Sequence, residues 1–210
     1  MKLFAVGLVA LSTAAGAAEL SAKNGLEFLV VNGKSVTKIA NDGDKKLDLN
    51  PGKYQIVARF DEEVKRGSKS TIFTSKPYVF EIEMSSEDLF LVVPKFKFES
   101  QASAFFKKPE WMIENKSSGA VQSISGVRLT GVGFGSFNNM EKAVAQYNSD
   151  NGIIFEGGQA KNLEEMLVSV DDKGNVNIKG DTLTQLKLWY AKASIEEKKA
   201  FKRWMIEQDF

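Results

Sequence analysis

The sequence predicts an α+β fold in which an N-terminal antiparallel β-sandwich is followed by a mixed α/β part that ends in a helical hairpin. Between residues 20 and about 100, short apolar or alternating stretches are separated by turn residues, which is typical of an all-β module. From residue 139 onward, apolar side chains recur at spacings of three and four, the period of a helix. With 210 residues and no cysteine, the chain is long enough to bury a core without disulfides.

The first residues have the pattern of a secretory signal peptide. A Met-Lys start is followed by an almost wholly apolar run and then by small residues up to Ala18. This pattern predicts cleavage after Ala18, with cleavage after Ala17 as the alternative. The apolar run is far shorter than the roughly 20 residues of a membrane-spanning helix. We therefore expect export to the periplasm, removal of residues 1–18, and a mature form without a membrane span.

Residues 19–100 are predicted to form the sandwich module. Residues 25–37 predict a β-hairpin, because Asn32-Gly33 is a favoured pair for a two-residue turn. Residues 54–60 predict a long buried strand. Residues 61–70 are mostly polar and predict a loop, with a continuation of the preceding strand as the alternative. The strands expected after this loop are residues 78–84, 89–93 and 95–98.

Residues 101–210 are predicted to form a mixed α/β region, either separate from the sandwich or packed with it as one unit. Asn139 is a good helix cap, and the apolar side chains that follow it share one helical face through Tyr147. Residues 168–178 predict a β-hairpin, since Asp, Gly and Asn lie at its centre.

The C-terminal segment gives the clearest helix signals. Ser194 and Glu197 have the spacing of a capping box, so a helix ends before them and another begins there. Two helices joined in this way form an αα-hairpin. We expect Trp189, Phe201 and Trp204 to pack against the rest of the fold, because a large uncovered apolar face favours association.

The composition excludes most familiar hydrolase and metalloenzyme chemistry. Without histidine or cysteine there is no Ser-His-Asp triad, thiolate nucleophile or ordinary zinc site. The 28 basic and 27 acidic residues nearly cancel, so no strong field attracts nucleic acid. Many carboxylates are present, but no pattern pairs two of them for glycoside chemistry. We therefore predict no catalytic, cofactor-binding or metal-binding residues and no enzyme activity.

An aromatic and basic cluster between residues 95 and 111 is the predicted partner-binding surface. Aromatic side chains supply contact area and lysines attract a partner, which suits the anchoring of an exported polypeptide. The alternative is that the aromatic residues fill the junction between the sheet and the C-terminal helices. The candidate residues are Lys95, Phe96, Lys97, Phe98, Phe105, Phe106, Lys107, Lys108 and Trp111.

The chain resembles the YccT family of bacterial periplasmic proteins, whose best-known member is described as a curli synthesis inhibitor. The matching segments are Leu29–Val36, Leu47–Gly52, Thr74–Val79, Leu186–Tyr190, Phe201–Trp204 and Gln208. They span nearly the whole mature chain. The resemblance implies a periplasmic location, the absence of a catalytic motif, and restraint of amyloid-forming curlin subunits.

Two functions follow as hypotheses. The first is a non-enzymatic envelope protein that binds an exported polypeptide, such as an amyloid-forming curlin-like subunit. It would capture an extended segment at a strand edge. The second is a protein that binds or modifies envelope glycans. The sequence leaves the partner, the binding face and the oligomeric state open.

Overall fold

The computed structural model of the protein describes residues 16–38, 44–131, 139–156, 159–163, 168–170, 176–178 and 182–208. Most of the predicted signal peptide therefore lies outside the described residues. Within them, the structure contains no helix that combines the length and the apolar character needed to cross a membrane.

Eleven strands of the described residues build the sandwich. The first six are β1 (Ala18–Ala22), β2 (Leu26–Val31), β3 (Lys34–Ser35), β4 (Lys46–Leu49), β5 (Gly52–Arg66) and β6 (Lys69–Thr74). The other five are β7 (Tyr78–Met84), β8 (Leu89–Val92), β9 (Trp111–Asn115), β10 (Val121–Ile124) and β11 (Gly126–Arg128). The predicted hairpin at the N-terminus is confirmed, since Asn32 and Gly33 both have positive φ between β2 and β3.

The strands form two facing sheets. The first has the order β10-β9-β8-β1-β4, and the second has the order β11-β7-β5-β2-β3 with β6 paired to the far half of β5. Only the β1–β8 pair, among the strands described, is parallel. The chain passes from the first sheet to the second between β10 and β11, so the sandwich includes three strands beyond residue 100.

Residues 61–70 form the arms of a hairpin and not the predicted loop. The strand β5 continues to Arg66, and β6 returns from Lys69 with six residue pairs in register. The polar composition is explained by exposure, because this hairpin extends past the main sheet and only Val64 among residues 61–66 is buried. The alternative reading, a continuation of the strand, is the one that the structure supports.

The main core lies between the two sheets. Side chains such as Phe28, Phe60, Phe80 and Leu91 are almost fully buried there. Alternate residues of the central strands β2, β5 and β7 point to the opposite face, where Val30 and its neighbours form a second core. The central strands are thus buried on both faces, which explains their continuous apolar runs.

A helix covers this second core. It is α2 (Met140–Asp150), which follows the short helix α1 (Glu99–Phe105). The predicted cap is confirmed: Asn139 Oδ1 accepts a hydrogen bond of 2.9 Å from the amide of Lys142. The side-chain amides of Gln55 and Asn148 exchange two buried hydrogen bonds of 2.5 and 3.1 Å, and these fix α2 on the sheet.

The remaining strands form two small antiparallel pairs. The strands β12 (Ile153–Glu156) and β13 (Gln159–Asn162) make the first pair, and β14 (Val168–Val170) and β15 (Val176–Ile178) make the second. The second pair confirms the strand pairing predicted over residues 168–178, and the predicted turn at residues 171–175 lies outside the described residues.

The C-terminal hairpin consists of α3 (Thr182–Lys192) and α4 (Ile195–Gln208). The capping box is confirmed, because the Ser194 amide donates to Glu197 Oε2 at 2.7 Å and the Glu197 amide donates to Ser194 Oγ at 3.2 Å. The expectation that the hairpin aromatics pack against the rest of the fold is wrong. Trp189 is 71% exposed, and neither helix has a buried residue.

Candidate functional site

The aromatic residues of the predicted partner-binding surface lie largely inside the fold. Trp111 is only 2% exposed, and Phe96, Phe105 and Phe106 are partly buried against the main core. Their rings contact one another and Phe60, with centroid distances of 5.4 Å for Phe60–Phe96 and 5.9 Å for Phe106–Trp111. They fill the junction between the sheets and α1. The alternative prediction placed these rings at a junction between the sheet and the C-terminal helices, so it was right that they pack inside the fold and wrong about the helices involved.

The segment before α1 is not the predicted strand over residues 95–98. It makes a single bridge to β5, where the Lys65 amide donates to the Lys97 carbonyl at 2.9 Å. The amides of Lys97 and Phe98 instead donate to Gln101 Oε1, both at 3.0 Å. The side chain of Gln101 thus takes the place of a neighbouring strand, and the segment turns into the helix.

The basic residues of the predicted surface lie in solvent. Lys95, Lys97, Lys107 and Lys108 are all exposed, and Phe98 is the one aromatic residue of the set that is exposed as well. The accessible part of the predicted surface therefore consists mostly of lysine side chains. Only two of the nine candidates, Phe106 and Lys107, line a cleft on this side of the molecule.

This basic cleft has a volume of about 450 Å³ and lies between the start of β7 and the end of α1. Four of its lining residues are cations, and none of its described lining residues carries a carboxylate. The other lining residues are the hydroxyl residues Thr74, Ser75, Tyr78 and Ser103 and the apolar residues Phe73, Pro77 and Phe106. The four cations are Arg59, Lys76, Lys107 and Arg128.

The four cations differ in how strongly they are already neutralised. Arg59 Nε lies 2.5 Å from Glu27 Oε1, and Arg59 Nη2 lies 3.9 Å from Asp61 Oδ2. Lys107 and Arg128 form no ion pair with any residue in the described part of the chain. These two side chains are therefore available to form an ion pair with an anion that enters the cleft.

Tyr78 contributes a hydroxyl group to the wall of the cleft. Burial raises the pKa of this phenol, and the charge of Arg128 offsets part of the rise. The hydroxyl therefore stays protonated at neutral pH, and it donates a long hydrogen bond of 3.4 Å to the carbonyl of Phe106. Because the phenol has only this one proton, the donor that it leaves for an anion in the cleft is the guanidinium group of Arg128.

The cleft adjoins a free strand edge. In the pairing of β5 with β6, Asp61 lies opposite Thr74 and Lys65 lies opposite Ser70. The Asp61 amide donates to Gly25 at 2.8 Å, on the side of β5 away from β6, and the Lys65 amide also points away. In an antiparallel ladder, residues opposite such positions also direct their backbone groups away from the pair.

It follows that Ser70, Ile72 and Thr74 present their backbone N–H and C=O groups at the outer edge of β6. No strand of the described residues pairs with this edge. Ile72 is 62% exposed, and the five residues from 70 to 74 carry no charge. By contrast, the edge strand β4 carries Lys46 and Asp48, and charged residues of this kind protect an edge against pairing.

Sequence reasoning missed both parts of this site. The predicted loop over residues 61–70 includes the first two residues of β6, and no strand was predicted for Thr71-Ile72-Phe73-Thr74, although this stretch has the β-branched and aromatic composition of a strand. Sequence reasoning also missed Arg59 and Arg128, which lie far from residues 95–111 in the chain and reach the cleft only through the pairing of the sheets. No local signal marks them.

An acidic cleft lies at the other end of β7. It has a volume of about 720 Å³, and Glu81, Glu83 and Glu87 are among its lining residues. Within the described part of the chain, no three acidic side chains come together in a way that could hold a metal ion.

A network of charges surrounds the start of β1. Glu19 accepts hydrogen bonds from Ser21 Oγ at 2.6 Å and from Lys46 Nζ at 3.0 Å, and Lys116 Nζ lies 3.4 Å away. These donors lower the pKa of Glu19 to about 2, with the Ser21 hydroxyl making the largest contribution. The Glu19 amide donates to Asp88 Oδ1 at 2.9 Å.

Comparison with known proteins identifies the family. Residues 19–204 match the family described as "Uncharacterized protein conserved in bacteria (DUF2057)". The chain is 33% identical over 195 residues to a UPF0319 protein of Vibrio vulnificus strain CMCP6, with 92% of each chain covered. It is 24% identical over 202 residues to a UPF0319 protein of Histophilus somni strain 129Pt, with 94% of this chain and 93% of the relative covered. No solved structure matches it at a significant level. The chain therefore belongs to the DUF2057, or UPF0319, family of bacterial proteins.

Proposed function

We propose that this protein is an exported, non-enzymatic envelope protein that binds other polypeptides by adding a strand to the free edge of β6. The observation that carries the proposal is the outer edge of β6, where three residues present backbone groups with which no described strand pairs, and where Ile72 is exposed. Strand addition obtains affinity from main-chain hydrogen bonds and needs little sequence identity in the partner. An uncharged edge of this kind is otherwise an aggregation hazard.

The favoured partner is a subunit that polymerises through its own strand edges, such as a curli-type amyloid subunit. The resemblance to the YccT family supports this choice. An amyloid grows when each new chain pairs with the edge of the preceding one. A monomeric protein that occupies that edge stops growth there, so restraint is expected to depend on the molar ratio of the two proteins and to leave the partner covalently intact.

Export is the second part of the proposal. The signal pattern up to Ala18 supports it, and the family match begins at Glu19. Cleavage after Ala18 converts the Glu19 backbone nitrogen into an ammonium group, and this nitrogen lies 2.9 Å from the Asp88 carboxylate. The positive charge of this ammonium group would thus be paired with the negative charge of Asp88.

Mass spectrometry of the periplasmic protein should find Glu19 at the N-terminus, or Ala18 for the alternative cleavage. Uncut chain in the inner membrane contradicts this part.

The binding proposal is tested by incubating the mature protein with a purified curlin-like subunit and following thioflavin fluorescence. We expect the lag phase to lengthen in proportion to the molar ratio. Ile72→Pro should abolish most of this effect, because proline lacks the N–H that Ile72 presents to the edge. The substitution leaves the pairing with β5 intact, since that N–H does not point towards β5.

The matched control is Ile72→Val, which keeps the N–H group and the β-branched side chain. It should restrain polymerisation as well as the unsubstituted protein does. Equal activity of the proline variant, with an unchanged melting temperature for both variants, excludes β6 as the binding edge. Fragmentation of the subunit by trace amounts of the protein contradicts a non-enzymatic mechanism.

A further inference from the structure

We infer that the basic cleft is a carboxylate-binding site, which binds an acidic group of the polypeptide that pairs with β6. This inference rests on the proposed strand addition and specifies the chemistry of the partner. The two features are continuous, because Thr74 is the last residue of β6 and also lines the cleft. An added strand that runs past Thr74 reaches the cleft within one or two residues, since a strand advances about 3.3 Å per residue.

The cations in the cleft are placed to receive a single carboxylate. Lys107 and Arg128 have no ion-pair partner among the described residues, and no described carboxylate lines the cleft to compete with a ligand. The guanidinium group of Arg128 offers parallel donors that match the two oxygens of a carboxylate. Tyr78 also lines the cleft, but its single hydroxyl proton is donated to the Phe106 carbonyl.

Arg59 has a supporting role in this site. Its contacts with Glu27 and Asp61 hold the guanidinium group in place and neutralise much of its charge. The cleft therefore has a fixed wall formed by Arg59. Its other three cations, Lys76, Lys107 and Arg128, are exposed and able to adjust, and we assign the ligand to Lys107 and Arg128, which form no ion pair with any described residue.

The overall charge favours one carboxylate over a polyanion. The whole chain has a formal net charge of only +1, and the far end of β7 is lined by three glutamates. A nucleic acid or another long polyanion needs a basic surface that continues over many residues. The cleft holds four cations, and two of them, Lys107 and Arg128, form no ion pair with any described residue, so it suits a single Asp or Glu side chain or the carboxylate at a chain terminus.

The inference is tested with three short, fluorescently labelled peptides of alternating Thr and Val. The first ends in Glu with an amidated C-terminus, the second ends in Gln with an amidated C-terminus, and the third ends in Gln with a free carboxylate. Fluorescence anisotropy should show that the first or the third peptide binds about fivefold more tightly than the second, the size expected for one partly exposed charge pair. Which of the two binds more tightly identifies the source of the carboxylate.

Variants assign this preference to the cleft. The double variant Lys107→Gln/Arg128→Gln should bind all three peptides with equal affinity. The matched control is Lys95→Gln/Lys108→Gln, which removes the same charge from exposed positions outside the cleft and should keep the fivefold preference. Loss of the preference in both double variants would mean that general charge attraction, and not the cleft, selects the acid.

The outcomes separate this inference from the proposed function. If the three peptides bind equally and Ile72→Pro weakens all of them, strand addition stands and the carboxylate site is overturned. If binding requires the acid but is unaffected by Ile72→Pro, strand addition at β6 is overturned and the cleft alone binds the carboxylate. If none of the peptides binds, both are overturned for strands of this composition.

Discussion

The β-sandwich and the C-terminal hairpin contain the same large aromatic residues in opposite environments. In the sandwich, Trp111 is 2% exposed, and its ring lies 4.8 Å from Phe80 and 5.0 Å from Tyr78. In the hairpin, Trp189 is 71% exposed and Trp204 is 53% exposed. Both regions form regular secondary structure, but only the first encloses its apolar side chains between layers.

The difference lies in the number of neighbouring layers. Trp111 belongs to β9 of the first sheet, and its ring contacts Tyr78 and Phe80 of the second sheet. Phe105 and Phe106, at the end of α1, cover the ring from the side. The helix α3 contacts α2 in the body of the fold, and a hydrogen bond from Ser149 Oγ to the Ala191 carbonyl joins the two helices. Its aromatic side chains remain exposed, and the ring of Tyr190 contacts Phe201 of α4 at a centroid distance of 6.2 Å. An apolar residue is buried only if a second layer covers it.

The largest expected effect comes from truncating one tryptophan in each region. Trp111→Ala should lower the free energy of unfolding by about 3–5 kcal/mol, because it leaves a large cavity in the core. Trp189→Ala should change it by less than about 0.5 kcal/mol, since the side chain is mostly in water. Urea unfolding followed by far-UV circular dichroism measures both values. Equal losses in the two variants would contradict the contrast between the regions.

A smaller change tests how tightly the sandwich is packed. A Cβ atom at Gly126 would lie 2.5 Å from the Phe80 ring and 2.8 Å from the Trp111 ring. Gly126→Ala should therefore cost about 1–3 kcal/mol through overpacking. Combining it with Trp111→Phe, which frees space beside the new methyl group, should recover part of the loss. Additive losses in this double-mutant cycle would argue against a shared contact.

The pH dependence tests the charge network that holds β1 in the sandwich. The pKa of Glu19 is lowered to about 2 in the folded protein, from an ordinary value near 4.5. The stabilisation is therefore present above about pH 4.5 and is lost as the pH falls from there to about 2. Because the carboxylate is partly exposed and screened, we expect a contribution of about 1 kcal/mol.

Glu19→Gln should remove this part of the pH dependence of the free energy of unfolding. The control is Glu110→Gln, an exposed acid for which the described residues provide no ion-pair partner; it should leave the pH profile unchanged. Identical profiles for the unsubstituted protein and Glu19→Gln between pH 5 and 2 would show that the network does not stabilise the fold.

The smallest global effect is expected at the cap of the hairpin. Ser194 and Glu197 satisfy each other's amides, and the hydrogen bond from the Ser194 amide is the largest cause of the lowered pKa of Glu197. Ser194→Ala should weaken α4 locally by about 1 kcal/mol. Amide exchange of α4 should become faster, while the melting temperature of the sandwich stays the same. A clear drop in that temperature would show that the two regions unfold as one unit.

Local features of the fold were predictable from the sequence because each depends on residues close together in the chain. The turn at Asn32-Gly33, the helix cap at Asn139 and the capping box of Ser194 and Glu197 each act within a few residues. The absence of histidine and cysteine, and the signal pattern before Glu19, are likewise properties of the sequence alone. The same holds for the alternation that predicts the strand Tyr78–Met84.

The tertiary structure alone decided which of these elements cover one another. The clearest case is the predicted partner-binding surface, in which the Trp111 ring is buried because it contacts Phe80 of the facing sheet. The free edge of β6 and the cleft between Arg59 and Arg128 depend in the same way on strand order. Strand order brings together residues that are distant in the chain. Because hydrophobic burial is non-directional, the local sequence does not identify which element covers each apolar face.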